Sequence, residues 1–209
     1  MKQNTIFFTV IMALSVIAGA FSVHTIVATA HASSTPVIER VAAQVTNVIP
    51  EASAAVTPAV IDNPVHLNIP NARVDASVIQ VGVTKTNNLD VPPNFVQAGW
   101  YKFGPKVGQV GNAVIDGHVD NGGAIDGVFK HLRDLKPGDD IYVTGADGKQ
   151  LHFKVDHSDV YLTTQFPSDV VFNQNDGRSI LKIITCHGTY VPSMETYDHR
   201  LVVTAVLVN

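Results

Sequence analysis

Residues 65–69, Val65-His66-Leu67-Asn68-Ile69, alternate apolar and polar side chains, the pattern of a strand with one buried face. Pro70-Asn71-Ala72 turns the chain, and alternation resumes over residues 74–81 through Val74, Ala76 and Val78. Ala113-Val114-Ile115, within residues 111–117, reads as a short buried strand. Two further runs, 140–144 and 151–155, flank Gly145-Ala146-Asp147-Gly148 and predict a hairpin. Apolar strands follow at 179–185 and 201–207. Only residues 127–135 carry a helical pattern, with Val128, Phe129, Leu132 and Leu135 near helical spacing before Pro137-Gly138-Asp139 stops it. Seven or eight short strands, frequent turns and one or two short helices predict an all-β fold, a closed barrel.

Before this domain the texture differs. Residues 5–23 carry no charge and are mostly apolar, near the ~20 residues that span a bilayer as a helix. Lys2 gives a thin positive flank. Ala30-His31-Ala32 before Ser33 has the small-x-small form of a signal-peptidase site. Residues 1–32 are therefore expected to be a signal anchor or a cleaved signal peptide, the anchor slightly favoured, with the rest outside the cytoplasmic membrane. Residues 33–63, rich in Ala, Val, Thr, Ser and Pro and free of aromatics, read as a flexible linker with a short helix around 37–48. Residues 64–209 form the folded domain.

The chain of 209 residues has 14 basic and 18 acidic side chains, a formal net charge of −4, and no Lys/Arg cluster, so nucleic acid is not expected as a partner. It has one cysteine. Outside the cytoplasm cysteines usually pair, so a lone thiol pairs with another chain, lies inert in the core, or reacts. Cys186 stands where the apolar run Leu181-Lys182-Ile183-Ile184-Thr185 gives way to His187-Gly188. That position at the end of a predicted strand favours a reactive thiol.

Two other segments place reactive groups beside apolar strands: Val114-Ile115-Asp116-Gly117-His118-Val119-Asp120 and Tyr197-Asp198-His199-Arg200-Leu201. A thiol becomes nucleophilic with a proton acceptor or ion-pair partner, and imidazole at ~6.5 suits a thiol near ~8.5. Arginine, always cationic with five donors, can stabilise the oxyanion of acyl transfer or hold a substrate backbone.

Gly117-His118, then Thr185-Cys186 closing an apolar strand, then Arg200 opening the last strand resembles the sortases, Cys–His–Arg transpeptidases of bacterial surfaces built on an eight-stranded β-barrel. The resemblance runs from about residue 63 to 209 and includes Ile69-Pro70, Ile115-Asp116-Gly117-His118-Val119-Asp120, and Leu132 to Leu135 followed by Lys136-Pro137-Gly138-Asp139. The Gly-His-Val-Asp and Pro-Gly-Asp pieces look most like class F, with D or E as neighbours. It implies Cys186 as nucleophile, His118 as acid/base and Arg200 holding the substrate or the oxyanion. Thr185 would line the groove and help the oxyanion site. The stretch 160–178, with Leu162, Phe166 and Phe172, would receive the apolar part of the peptide. The implied substrate is a Leu-Pro-x-Thr-Gly-like sorting signal, cut between Thr and Gly through a thioacyl intermediate. The acyl group would pass to an amine acceptor of the cell wall, and water would take it when no amine is present. No cofactor and no metal is implied.

Other roles stay open on the residues alone. Asp120 could orient the His118 ring or be a solvated loop carboxylate. His187 has no assigned role, though it faces away from Cys186 if the strand is regular. His199 reads as a surface residue, Asp116 as structural, and Trp100 and Tyr101 as core or rim packing. L,D-transpeptidases carry Ser-His-Gly-Cys, with His-Gly before the thiol rather than after it. A non-enzymatic binding barrel with an inert core cysteine fits the composition. A metal site lacks a His-x-x-x-His or Cys-x-x-Cys pair, and Asp156, Asp159 and Asp176 are too scattered for a calcium loop.

Overall fold

The computed structural model describes residues 59–85, 88–122 and 124–208. Eight strands close a barrel: β1 (Pro64–Ile69), β2 (Val74–Val81), β3 (Ala98–Tyr101), β4 (Gly111–Asp116), β5 (Asp140–Gly145), β6 (Gln150–Leu162), β7 (Ser179–Val191) and β8 (Thr196–Leu207). Their order around the barrel is β1-β2-β3-β4-β7-β8-β6-β5, with β5 returning to β1. β2–β3 and β4–β7 are parallel and the other pairs antiparallel. Strand periodicity explains the interior. On β7, Leu181 and Ile183 point inward, and Leu67, Ile69, Ile115, Ile141, Val143, Phe153 and Val203 join them in one buried cluster. A fully buried residue of this size stabilises by about 1.5–3 kcal/mol, so this cluster is the main source of stability.

Several expectations are corrected. β3 was not anticipated; Ala98-Gly99-Trp100-Tyr101 shows no alternation because the first three are all buried. The helical pattern at 127–135 becomes turns and a 3₁₀ segment, Leu132–Asp134. Phe129 and Leu132 plug the barrel there, each with no exposed surface. Helical structure among the described residues is confined to short 3₁₀ turns and a five-residue π turn, Asp169–Asn173. Ile61, placed in the linker by sequence, is fully buried and pairs with Val107, so packing begins before residue 64. The expected anchor and the helix around 37–48 lie outside the described residues.

β7 and β8 also outrun their apolar cores. Beyond residue 185 burial falls away, yet the two strands stay paired out to Val191↔Thr196. Cys186 is therefore inside a hydrogen-bonded strand, where the barrel wall passes into a projecting two-stranded ribbon. Arg200 likewise lies four residues into β8 rather than at its start.

Candidate active site

Three neighbouring strands bring the reactive groups to one place. Across β4, β7 and β8 one row reads Asp116↔Ile184↔Val202. Two residues on from this row along β4 and β7, and two residues back along antiparallel β8, stand His118, Cys186 and Arg200, with Cys186 and Arg200 directly paired. A step of two keeps the same face of a sheet, and adjacent strands lie ≈ 4.7–4.9 Å apart. His118 follows the last paired residue of β4, and the chain is still held to β7 there, since Gly117 N donates to the Ile184 carbonyl at 3.2 Å. The shared face is the outer one. Behind the row it carries a second apolar cluster, Val114, Val171, Ile184 and Val202.

Each side chain has its own support. His118 Nε2 lies 2.8 Å from the Pro92 carbonyl. A carbonyl only accepts, so Nε2 carries hydrogen and Nδ1 is left to exchange a proton. Phe95 packs on the ring at a centroid distance of 4.4 Å. The following loop is pinned from below: Phe129 N donates to the His118 carbonyl at 2.9 Å and Gly127 N to the Val119 carbonyl at 2.9 Å. Gly127 must be glycine, because a Cβ there would stand 2.3 Å from the His118 oxygen.

Arg200 is fixed by neutral oxygens. Nη1 donates to Thr163 Oγ1 at 2.9 Å and to the carbonyls of Tyr197 at 3.1 Å and His199 at 3.0 Å. Nη2 donates to Thr196 Oγ1 at 2.9 Å. Four neutral acceptors hold the fork without cancelling its charge, and among the described residues Nε and one Nη2 hydrogen have no partner.

Cys186 is partly exposed and lines a pocket of about 400 Å³ at the barrel mouth, with Asp120, Phe129, Lys130, Thr185 and Tyr197 among its walls. Thr185 points the other way from the thiol. Its hydroxyl is buried and donates to the Gly117 carbonyl at 2.8 Å, so it locks β7 to the His118 turn rather than offering that hydrogen to a ligand. Past the thiol, Gly188 adopts φ +86° at a break in the β7–β8 register. A Cβ there would come within 2.1 Å of Asp198 Oδ1, so this bulge needs glycine.

Asp120 fits neither expectation. Its side chain is only 8% exposed. It accepts from the Tyr197 hydroxyl, from Lys130 Nζ at 3.0 Å and from Gly122 N at 2.9 Å, and the His118 ring is not among its partners. Burial pushes its carboxyl up, but those three donors more than reverse this and hold it below the usual carboxylate range. Burial also raises Tyr197, to about 12, helped by the Asp120 carboxylate and, more weakly, by the nearby Cys186 charge. Asp116, 4% exposed with Oδ1 unpartnered, is packed over Gly99. Burial drives its carboxyl up to about 8, so it is mostly neutral at pH 7.

The apolar residues of the 160–178 stretch divide. Phe166 and Phe172 pack on the outer cluster, and Asn112 Nδ2 anchors the stretch through the carbonyls of Val170 at 3.2 Å and Val171 at 3.0 Å. Leu162 does not join them. It pairs with His199 and so lies on the face opposite Arg200, 44% exposed. Tyr161, paired with Arg200, takes the groove side and packs on the cluster. His187 pairs with His199 and shares that opposite face. Pro92, Phe95, Thr163, Thr196, Lys130 and Tyr197 were not foreseen. The one hint was Pro92-Pro93, which fixes an extended chain ahead of Phe95.

The sortase domain family matches residues 67–208, well over half of the chain. No curated protein matches it. Among solved structures it is similar to sortase A from Corynebacterium diphtheriae, at 23% identity and a TM-score of 0.54, covering 73% of this chain and 62% of that one. It is also similar to the SrtA sortase from Actinomyces oris, at 24% identity and TM-score 0.53, over 74% of this chain and 87% of the other. Sortase C-1 from the same organism aligns at 25% identity and TM-score 0.51, over 69% and 73%. The fold is thus that of the sortase barrels. The chain belongs to the sortase family, whose members are cysteine transpeptidases.

Proposed function

We propose that the protein is a transpeptidase that cuts a Leu-Pro-x-Thr-Gly-like sorting signal between Thr and Gly and passes the Thr acyl group to a cell-wall amine. The observation that carries this is the shared row: a partly exposed thiol directly paired with a rigidly held, uncancelled guanidinium, with an imidazole next in line. An inert core cysteine would be buried among apolar side chains, and Cys186 instead lines a pocket.

The chemistry follows from the supports. The Cys186 thiolate attacks the Thr carbonyl carbon, and the carbonyl electron pair becomes an oxyanion. Arg200, with Nε and one Nη2 hydrogen unpartnered among the described residues, stabilises it. Collapse breaks the C–N bond, and the His118 imidazolium gives its Nδ1 proton to the leaving Gly amine. An acceptor amine then attacks the thioester, His118 Nδ1 takes its proton, and Cys186 leaves as thiolate. Water in place of the amine gives hydrolysis. The peptide's Leu and Pro would rest against Phe166, Phe172 and Tyr161 beside the outer cluster.

Class F, with D or E as neighbours, is our assignment within the family, on the Gly117-His118-Val119-Asp120 and Pro137-Gly138-Asp139 stretches. We place the domain outside the cytoplasmic membrane, tethered by the apolar segment 5–23, where sorting substrate and lipid-linked acceptor meet. Incubation with a fluorogenic Leu-Pro-x-Thr-Gly peptide, with and without an amine, followed by mass spectrometry tests bond, substrate and acyl fate. Cleavage after Thr and an amine adduct are expected; an intact peptide overturns the proposal.

A further inference from the structure

We propose that Tyr197 is a positioning residue for this reaction: it ties the loop that carries His118 to the strand that carries Arg200 across the mouth of the Cys186 pocket. The inference rests on the transpeptidase assignment above for its kinetic consequences, though not for its geometry.

The link has two ends. At one, the Tyr197 hydroxyl donates to Asp120, two residues beyond His118. That carboxylate is itself held by Lys130 Nζ and Gly122 N, so it is a fixed anchor rather than a mobile acceptor. At the other, the Tyr197 carbonyl accepts from Arg200 Nη1 and from Thr163 Oγ1, the latter at 2.8 Å. One residue thus bonds through its side chain to the acid/base loop and through its backbone to the guanidinium. Tyr190, opposite it across the ribbon, packs against its ring edge-on at 5.6 Å.

The ribbon gives this link its importance. Beyond Cys186 the β7–β8 pair leaves the barrel wall, and burial declines. Among the described residues, the Tyr197–Asp120 bond is the one hydrogen bond between residues 187–199 and the loop 118–130. Without it no hydrogen bond among the described residues joins the two walls of the pocket across its mouth. A carboxylate accepting from a hydroxyl in a mostly buried setting makes a strong, short bond. Asp120 stays ionised and Tyr197 protonated through ordinary assay pH, so the clasp does not open there.

Tyr197→Phe removes one oxygen and changes no charge, and Asp120→Ala removes the anchor. Both are compared with the double variant in the full chain, by steady-state kinetics on the sorting peptide and by thermal melts. Each single variant should lower kcat about fivefold or more with KM within twofold, and the double should fall no further than the worse single, because the two act as a unit. The second readout needs no substrate: the pH dependence of Cys186 alkylation by iodoacetamide in wild type and Tyr197→Phe. A less closely held imidazolium stabilises the thiolate less, so the midpoint should rise by about half a pH unit. Superimposed alkylation profiles, or losses in kcat that multiply in the double variant, overturn the proposal. If the wild type cleaves no sorting peptide, the functional assignment fails and the alkylation profile alone decides the clasp.

Discussion

Replacing Arg200 by lysine tests the site most directly, because charge is kept while donor geometry is lost. The guanidinium spans four acceptors with its two terminal nitrogens, reaching Thr163 on one side and Thr196 on the other. A lysine ammonium is a single point with three donors. It cannot reach both threonines and still aim a hydrogen at an oxyanion. Losing one such donor costs on the order of 3 kcal/mol in the transition state, roughly a hundredfold in rate. The ground-state cost is smaller. Two side-chain hydrogen bonds at about 1 kcal/mol each, to hydroxyls that can turn to water, set an upper bound near 2 kcal/mol. That is a fall in Tm of several degrees at most. Steady-state kinetics on the sorting peptide, with melts of the same preparations, should therefore show kcat/KM reduced about 10²-fold and a folded protein. A partly exposed cation serving only surface electrostatics is worth ~0–1 kcal/mol and would leave the rate almost unchanged. A lysine variant within threefold of wild type refutes the assignment of Arg200 to the site.

Cys186→Ala should abolish turnover and leave the melt near wild type, since the thiol is partly exposed; residual turnover near wild type sinks its role as nucleophile. Activity should follow a bell-shaped pH profile whose limbs belong to the thiol–imidazole pair, and a rate flat from pH 5 to 10 contradicts it. Asp116 makes stability pH-dependent in a definite sense. Its folded pKa is raised to about 8, against ~4 unfolded, so the native state binds the extra proton and stability falls as pH rises from about 4 to 8, then levels off. Asp116→Asn removes that slope and should be more stable than wild type at pH 8.5, by about 2 kcal/mol or more; parallel Tm–pH curves for the two would refute this. Gly188→Ala should lower Tm and activity together, because φ +86° and the approach of Asp198 both exclude a Cβ; a melt and rate equal to wild type would show the bulge is not required.

Periodicity made most of the barrel legible, because a strand with one face on the core must alternate. It failed where burial was two-sided or absent. β3 is buried on both faces and short, so Ala98-Gly99-Trp100-Tyr101 carries no period. The outer halves of β6 and β7 are held by pairing with β8 alone, through polar runs such as Asp156-His157-Ser158-Asp159 that resemble a loop. Residues 127–135 show the opposite failure: Phe129 and Leu132 are spaced for a helix but are buried as a plug from turns and a 3₁₀ segment. In the site, the thiol, imidazole and guanidinium stood out by chemistry and order. Their supports did not, because Pro92, Thr163 and Tyr197 are ordinary until the barrel closes and sets them beside His118 and Arg200.

The single row shared by Asp116, Ile184 and Val202, and the thiol two residues beyond it, limits how this enzyme can change. Odd positions of β7 build the core and even positions meet the outer surface. One residue inserted or removed between Ser179 and Leu181 would exchange the two sets, turning the sulfur toward the plugged interior and Leu181 out of the core toward the outer face. The sulfur therefore has no neighbouring place along its strand to which it can drift. Its position is quantised in pairs of residues, and variation in reach or partner has to come from the segments laid over the row, while the row itself stays fixed by the same alternation that folds the barrel.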